Sequence, residues 1–167
     1  MTLTRPSPNH SSRRGSEVGL IVLHCDASAS ERGTISWIQT AESKVSYHAL
    51  VRRDGTVETF VPYDRMAWHA GPSKYNGRKH CNLYSIGLAF ANRNNGREAL
   101  TQEQIASMQG IIADIMRRYG SLPVATHAEI AVPRGRKADP DGLVKIETPD
   151  GPKMVQAVPN FRIEDYA

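Results

Sequence analysis

Glu17-Val18-Gly19-Leu20-Ile21-Val22-Leu23-His24-Cys25-Asp26 is the stretch that decides how this chain folds. It is a short apolar run that stops abruptly in a polar cluster. Being hydrophobic on both faces, it has the pattern of a central strand covered on both sides. Ser85 to Ala91 repeats the pattern, and Leu122 to Thr126 is a shorter version that stops at His127. The clearest helix is Thr101 to Tyr119. Thr101 and Gln104 form a capping box, Gly120 supplies the stop, and Ile105, Met108, Ile111, Ile112, Ile115, Met116 and Tyr119 share one face. Thr34 is expected to cap a shorter helix that turns Ile35, Trp37, Ile38 and Ala41 inward. Strands interleaved with helices predict a single α/β domain, a mixed central β-sheet flanked by helices.

Tyr47 to Arg53 and Thr56 to Val61 flank Asp54-Gly55, a pair suited to a two-residue hairpin turn. The connection Pro62 to Tyr84 is long for a compact domain, so it is read as a binding loop. Val144 to Thr148 and Lys153 to Val158 are expected to form a peripheral hairpin. The predicted organisation is a flexible leader (1–16), a catalytic domain (17–142) and a C-terminal extension packed on the same domain (143–167).

Bulk properties narrow the function classes. The chain has 167 residues, 40% hydrophobic and 23% charged, which suits one folded domain. No apolar run approaches the roughly 18–20 residues of a membrane span. Residues 1–16 are rich in Ser, Pro and Arg and contain no apolar core of a secretory signal, so the expected place of synthesis and folding is the cytoplasm. Cys25 and Cys81 are accordingly expected to be reduced. The charge of +4 and pI near 9.2 describe a mild basicity that selects no partner.

His24 and His127 each lie where a predicted strand ends, the place where open α/β sheets line their ligand crevice. If the strands are neighbours, both imidazoles can face one metal. Asp139, in the loop after His127, is the carboxylate best placed to join them. Two His and one carboxylate leave a fourth position for solvent, as in catalytic zinc sites. Spacing alone leaves open that each histidine is solitary.

The local sequences carry more information. Val22-Leu23-His24-Cys25-Asp26, Tyr47-His48, Arg52-Arg53-Asp54-Gly55-Thr56-Val57, Ala67-Trp68-His69-Ala70-Gly71, Asn82 with Ser85-Ile86-Gly87, and His127-Ala128-Glu129-Ile130-Ala131 leading to Gly135-Arg136-Lys137-Ala138-Asp139-Pro140 occur in that order. Together they resemble the zinc amidase family that includes phage lysozyme-type amidases, animal peptidoglycan recognition proteins and cytosolic muropeptide-recycling amidases. The resemblance spans roughly residues 17–142. It implies hydrolysis of the amide between N-acetylmuramic acid and L-alanine in peptidoglycan, with one zinc ion on His24, His127 and Asp139. It further implies that Tyr47 and Lys137 act at the reacting carbonyl, and that Trp68, His69, Asn82 and Arg136 contact substrate. His48, on the opposite face from Tyr47, is expected in the core or behind the site.

One departure bears on the biological role. Many relatives carry a glutamate in the strand after Ser-Ile-Gly, where this chain has Ala89. A methyl group accepts no proton. A phage or prophage endolysin, acting on the wall after release, fits that departure better than a recycling amidase, the alternative. A binding module without turnover is the other alternative, but all three ligand positions hold competent residues. The expected partner is the glycan–peptide substrate, with no nucleic acid, no stable membrane insertion and a monomeric chain.

Overall fold

The computed structural model describes residues 1–167. In chain order the strands are β1 (Thr2–Thr4), β2 (His10–Ser12), β3 (Leu20–Cys25), β4 (Ala49–Val51), β5 (Val57–Thr59), β6 (Arg65–Ala67), β7 (Lys74–Tyr75), β8 (Arg78–Lys79), β9 (Ser85–Phe90), β10 (Val124–Thr126), β11 (Leu143–Thr148) and β12 (Gly151–Gln156). The helices are α1 (Glu31–Ile38), α2 (Gln102–Tyr119) and α3 (His127–Ile130). A mixed six-stranded sheet runs in the order β1-β5-β4-β9-β3-β10, with only the β4–β5 pair antiparallel. β3 and β9 lie at its centre and are buried along their whole length, as their unbroken apolar character requires.

The two-residue alternation of a strand divides this sheet into faces with different jobs. Ile21, Leu23 and Cys25 of β3, with Ile86, Leu88 and Phe90 of β9, pack beneath Met108, Ile112 and Ile115 of α2 in the larger core. Leu20 and Val22 enter a separate cluster on the other side, and Ala89 a third. His24 follows Leu20 and Val22 in the alternation and so belongs to the side away from α2. Ser85, Gly87 and Ala89 of β9 follow the same rule. α2 begins with the expected capping box, Gln104 N–H donating to Thr101 Oγ1 and Thr101 N–H to Gln104 Oε1, and ends at Gly120.

Several expectations are corrected. Ser30, not Thr34, caps α1, accepting from Gly33 N–H; Thr34 instead donates its hydroxyl to Asp26 at 2.7 Å. Trp37 is 55% exposed, while Ile38 is buried. The β4–β5 turn closes through Gly55 N–H to Arg52 C=O and Arg52 N–H to Thr56 C=O. Only Gly55 has a positive φ (80°), so the loop is Arg53-Asp54-Gly55, one residue longer than the two-residue turn.

The leader is also corrected. β1 pairs in parallel with β5 at the sheet edge, and β2 pairs with β6. Arg13 is buried and donates to the carbonyls of Tyr63, Asn82, Leu83 and Ser85, and Asn9 donates to those of Ile38, Thr40 and Val45. The Ser/Pro/Arg composition suggested a loose segment because it holds little apolar surface; polar side chains anchor it instead. At the other end β11 and β12 form the expected hairpin, and Val158, Phe161 and Tyr166 enter the larger core beside Phe90.

Candidate functional site

β10 pairs with β3 so that Thr126 lies opposite Leu23, which brings His127 beside His24. Thr126 caps α3, its hydroxyl accepting from Glu129 N–H, and this turn aims His127 back across the strand end. Asp139 arrives from the following loop. Its carbonyl accepts from Ala128 N–H at 2.9 Å and its carboxylate from Cys25 N–H at 3.3 Å. Potential ligand atoms of His24, His127 and Asp139 thus lie within 4.8 Å of one another, all three residues buried.

The donors are arranged for a cation. Asp139 Oδ2 is 3.4 Å from His24 Nδ1 and 3.1 Å from His127 Nδ1. His127 Nε2 faces the carbonyl of Ala70 at 3.3 Å, an acceptor that suits the tautomer with the ring proton on Nε2 and Nδ1 turned bare toward Asp139. His24 Nδ1 is a buried nitrogen with no hydrogen-bond partner. In those tautomers Nδ1 of each ring and the carboxylate turn three lone pairs toward one point. A tetrahedral ion with bonds of about 2.0–2.1 Å would space its donors by about 3.3 Å, close to both separations. Electrostatics agree. Burial and the neighbouring His127 push His24 down to about 4, which favours the neutral ring a metal requires. Burial alone would raise the Asp139 carboxyl, but the adjoining His127 and His24 rings hold it well below the usual carboxylate range.

Around this cluster the structure gathers the other candidate residues. The Tyr47 ring centroid lies 5.3 Å from that of His24. Burial, followed by Asp139 and Asp26, pushes the Tyr47 phenol upward, so it stays protonated. A cavity of about 370 Å³ opens beside the cluster, lined by Lys44, Val45, Trp68, Asn82, Arg136 and Lys137 together with His69 and His127. Lys137 also edges a larger cleft of about 780 Å³ with Glu129, Arg134 and Asp141. Glu129 is exposed there and turned away from the ligand cluster.

The four residues expected to touch substrate also hold the cavity wall together. Asn82 Oδ1 accepts from His69 N–H and Ala70 N–H, Trp68 Nε1 donates to Ser11, and Arg136 donates to the carbonyls of Ala70, Pro72 and Val132. His69 lines the cavity and is also the most enclosed of the four. It is 7% exposed, and both ring nitrogens are engaged inside the protein, with His24 and Ser85. Burial, then His24 and His48, pushes it well below its ordinary value. Sequence reasoning missed its partner Ser85, although the small residues at alternate positions of Ser85-Ile86-Gly87-Leu88-Ala89 signalled a face cleared for a bulky neighbour. His48 is buried behind the site, accepting from Gly87 N–H through Nδ1. Ala89 pairs with His24 across β3–β9, so a methyl group stands beside the ligand where many relatives place a glutamate.

The chain is 35% identical over 100 residues to the 1,6-anhydro-N-acetylmuramyl-L-alanine amidase AmpD of Citrobacter freundii, covering 60% of this chain and 52% of that protein. It therefore spans about half the length of this curated relative. A crystal structure of a selenomethionine AmpD derivative superposes with a TM-score of 0.72 at 26% identity, over 99% of this chain and 92% of the other. The amidase AmiD of E. coli, solved with the substrate anhydro-N-acetylmuramic acid-L-Ala-D-gamma-Glu-L-Lys, superposes at 0.67 and 27% identity, over 82% of this chain and 56% of the other. The family model described as N-acetylmuramoyl-L-alanine amidase matches residues 14–142, the span that contains the paired histidines, the aspartate and the cavity, and the chain belongs to that family.

Proposed function

We propose that this protein hydrolyses the amide between N-acetylmuramic acid and L-alanine, with one zinc ion on His24, His127 and Asp139. The observation that carries the reading is the convergence of three buried potential ligand atoms at separations of 3.1 and 3.4 Å along two of the triangle's edges. Two imidazoles and one carboxylate suit zinc and leave coordination open for reactants. When bound, the ion supplies Lewis-acid polarisation of the scissile carbonyl and activation of water near neutral pH.

The chain's own residues supply the rest. Tyr47, protonated and against His24, donates a hydrogen bond to the carbonyl oxygen as negative charge develops on it. Lys137 brings a cation to the same mouth; its charge already weighs on His24. Trp68, Asn82 and Arg136 shape the cavity that receives the sugar and stem peptide. Ala89 offers no proton acceptor, so the proton for the departing alanine nitrogen has to come from another group at the cluster.

Of the biological roles weighed above, the alternative is the better supported. The AmpD relatives are named for an anhydro-muramyl substrate, and AmiD of E. coli was solved with an anhydro-muramyl peptide. We infer that soluble 1,6-anhydro-muropeptides are the preferred substrate, ahead of the intact wall an endolysin attacks. No helix is long and apolar enough to cross a membrane. The test compares release of L-alanine-headed peptides from soluble anhydro-muropeptides with release from purified sacculi at equal bond concentration. Faster turnover of the soluble fragments is expected. Efficient digestion of sacculi with poor turnover of fragments would restore the endolysin reading, and release from neither would leave a binding module.

A further inference from the structure

We infer that His69 is a positioning residue that fixes the tautomer of His24, so that His24 presents Nδ1, and not Nε2, to the metal. The inference rests on the metal reading above and adds a part to it. It follows from a chain of hydrogen bonds with one consistent direction. Ser85 Oγ is 2.6 Å from the carbonyl of Cys81, which can only accept, so the single hydroxyl proton points there. At 3.1 Å from His69 Nε2, Ser85 Oγ must then accept, which puts the His69 proton on Nε2. A neutral His69 has a bare Nδ1, and that atom lies 2.9 Å from His24 Nε2. His24 must therefore donate from Nε2, which leaves its Nδ1 without a proton. That nitrogen is the partnerless buried one facing Asp139 at 3.4 Å.

The fold keeps this relay in place. A Cβ on Gly87 would stand 2.3 Å from His69 Cγ, so the ring occupies space that only glycine leaves open. Asn82 holds the backbone of His69 by its N–H, and the neighbouring Ala70 carbonyl receives Nε2–H of His127. One loop thus orients both imidazole ligands, one through a side chain and the other through a backbone carbonyl. Partners of this kind fix ring orientation and typically change metal affinity by about 10–100-fold when removed.

The test uses the full chain and two readouts. In metal-free, 15N-labelled protein, long-range 1H–15N spectra assign the tautomers, and competition with a chromophoric chelator gives the zinc Kd. Expected for the wild type are Nε2–H on both His24 and His69. His69→Ala is expected to give His24 a population protonated on Nδ1 and to weaken zinc binding by about 10–100-fold. His69→Gln, whose amide oxygen can accept from His24 and whose NH2 can reach Ser85, is expected to recover most of that loss. Ser85→Ala frees the far end of the relay and should weaken binding less than His69→Ala. A wild-type His24 protonated on Nδ1, or a folded His69→Ala with unchanged Kd, overturns the inference. Should His69→Ala not fold, the wild-type tautomer and the Gln and Ser85 variants decide it. A wild type that takes up no zinc defeats the metal reading alone; the His24 tautomer then upholds or overturns the positioning role by itself.

Discussion

At the scale of single residues, the site depends on which atoms carry protons. Tyr47 keeps its proton because burial and then the nearby Asp139 and Asp26 all push its phenol upward, and a donor held in place is worth most where negative charge develops. Tyr47→Phe removes the hydroxyl and leaves the ring packed. The expected outcome is a kcat lower by about 10²–10³-fold, the typical effect of losing one such donor, with zinc content unchanged. Steady-state assays beside elemental analysis check both halves. That His24 and His127 would meet was readable because each lies where an apolar run ends. What spacing could not convey was that the His69 ring lies against His24 and Ser85, since side-chain direction in a loop follows no period.

At the scale of elements, β9 does two things with one alternation. Ile86, Leu88 and Phe90 fill the core beneath α2, while Ser85, Gly87 and Ala89 clear the opposite face for the site. Gly87→Ala tests this directly. The added methyl meets the His69 ring, so we expect destabilisation of about 1–3 kcal/mol from overpacking, accompanied by weaker zinc binding; thermal melts and chelator competition measure the two. Strands and the long helix were legible because burial imposes a period and α2 carries both its caps. The turn and the first helix were less so. Asp-Gly serves two-residue and three-residue loops alike, and Ser30 and Thr34 are equally good caps until Asp26 captures the Thr34 hydroxyl.

For the whole molecule, both ends of the chain complete the domain. Arg13 is the clearest case, a buried guanidinium that satisfies four carbonyls, including that of Ser85 at the start of β9. Arg13→Ala strands those acceptors, and a loss of about 2–4 kcal/mol in unfolding free energy is expected, read by urea denaturation. A mutant as stable as the wild type would return residues 1–16 to the role of a dispensable leader. This part of the fold was hidden in the sequence because hydrophobic periodicity cannot report an anchor made of polar contacts. The centre of the account remains the ion that His24, His127 and Asp139 are shaped to hold. Its most direct test is the zinc stoichiometry of the purified wild type and of His24→Ala, His127→Ala and Asp139→Ala, each first shown to be folded. One ion per wild-type chain, and loss of tight binding in every variant, is the predicted result. A zinc-free wild type, or full occupancy in any of the three variants, would contradict it.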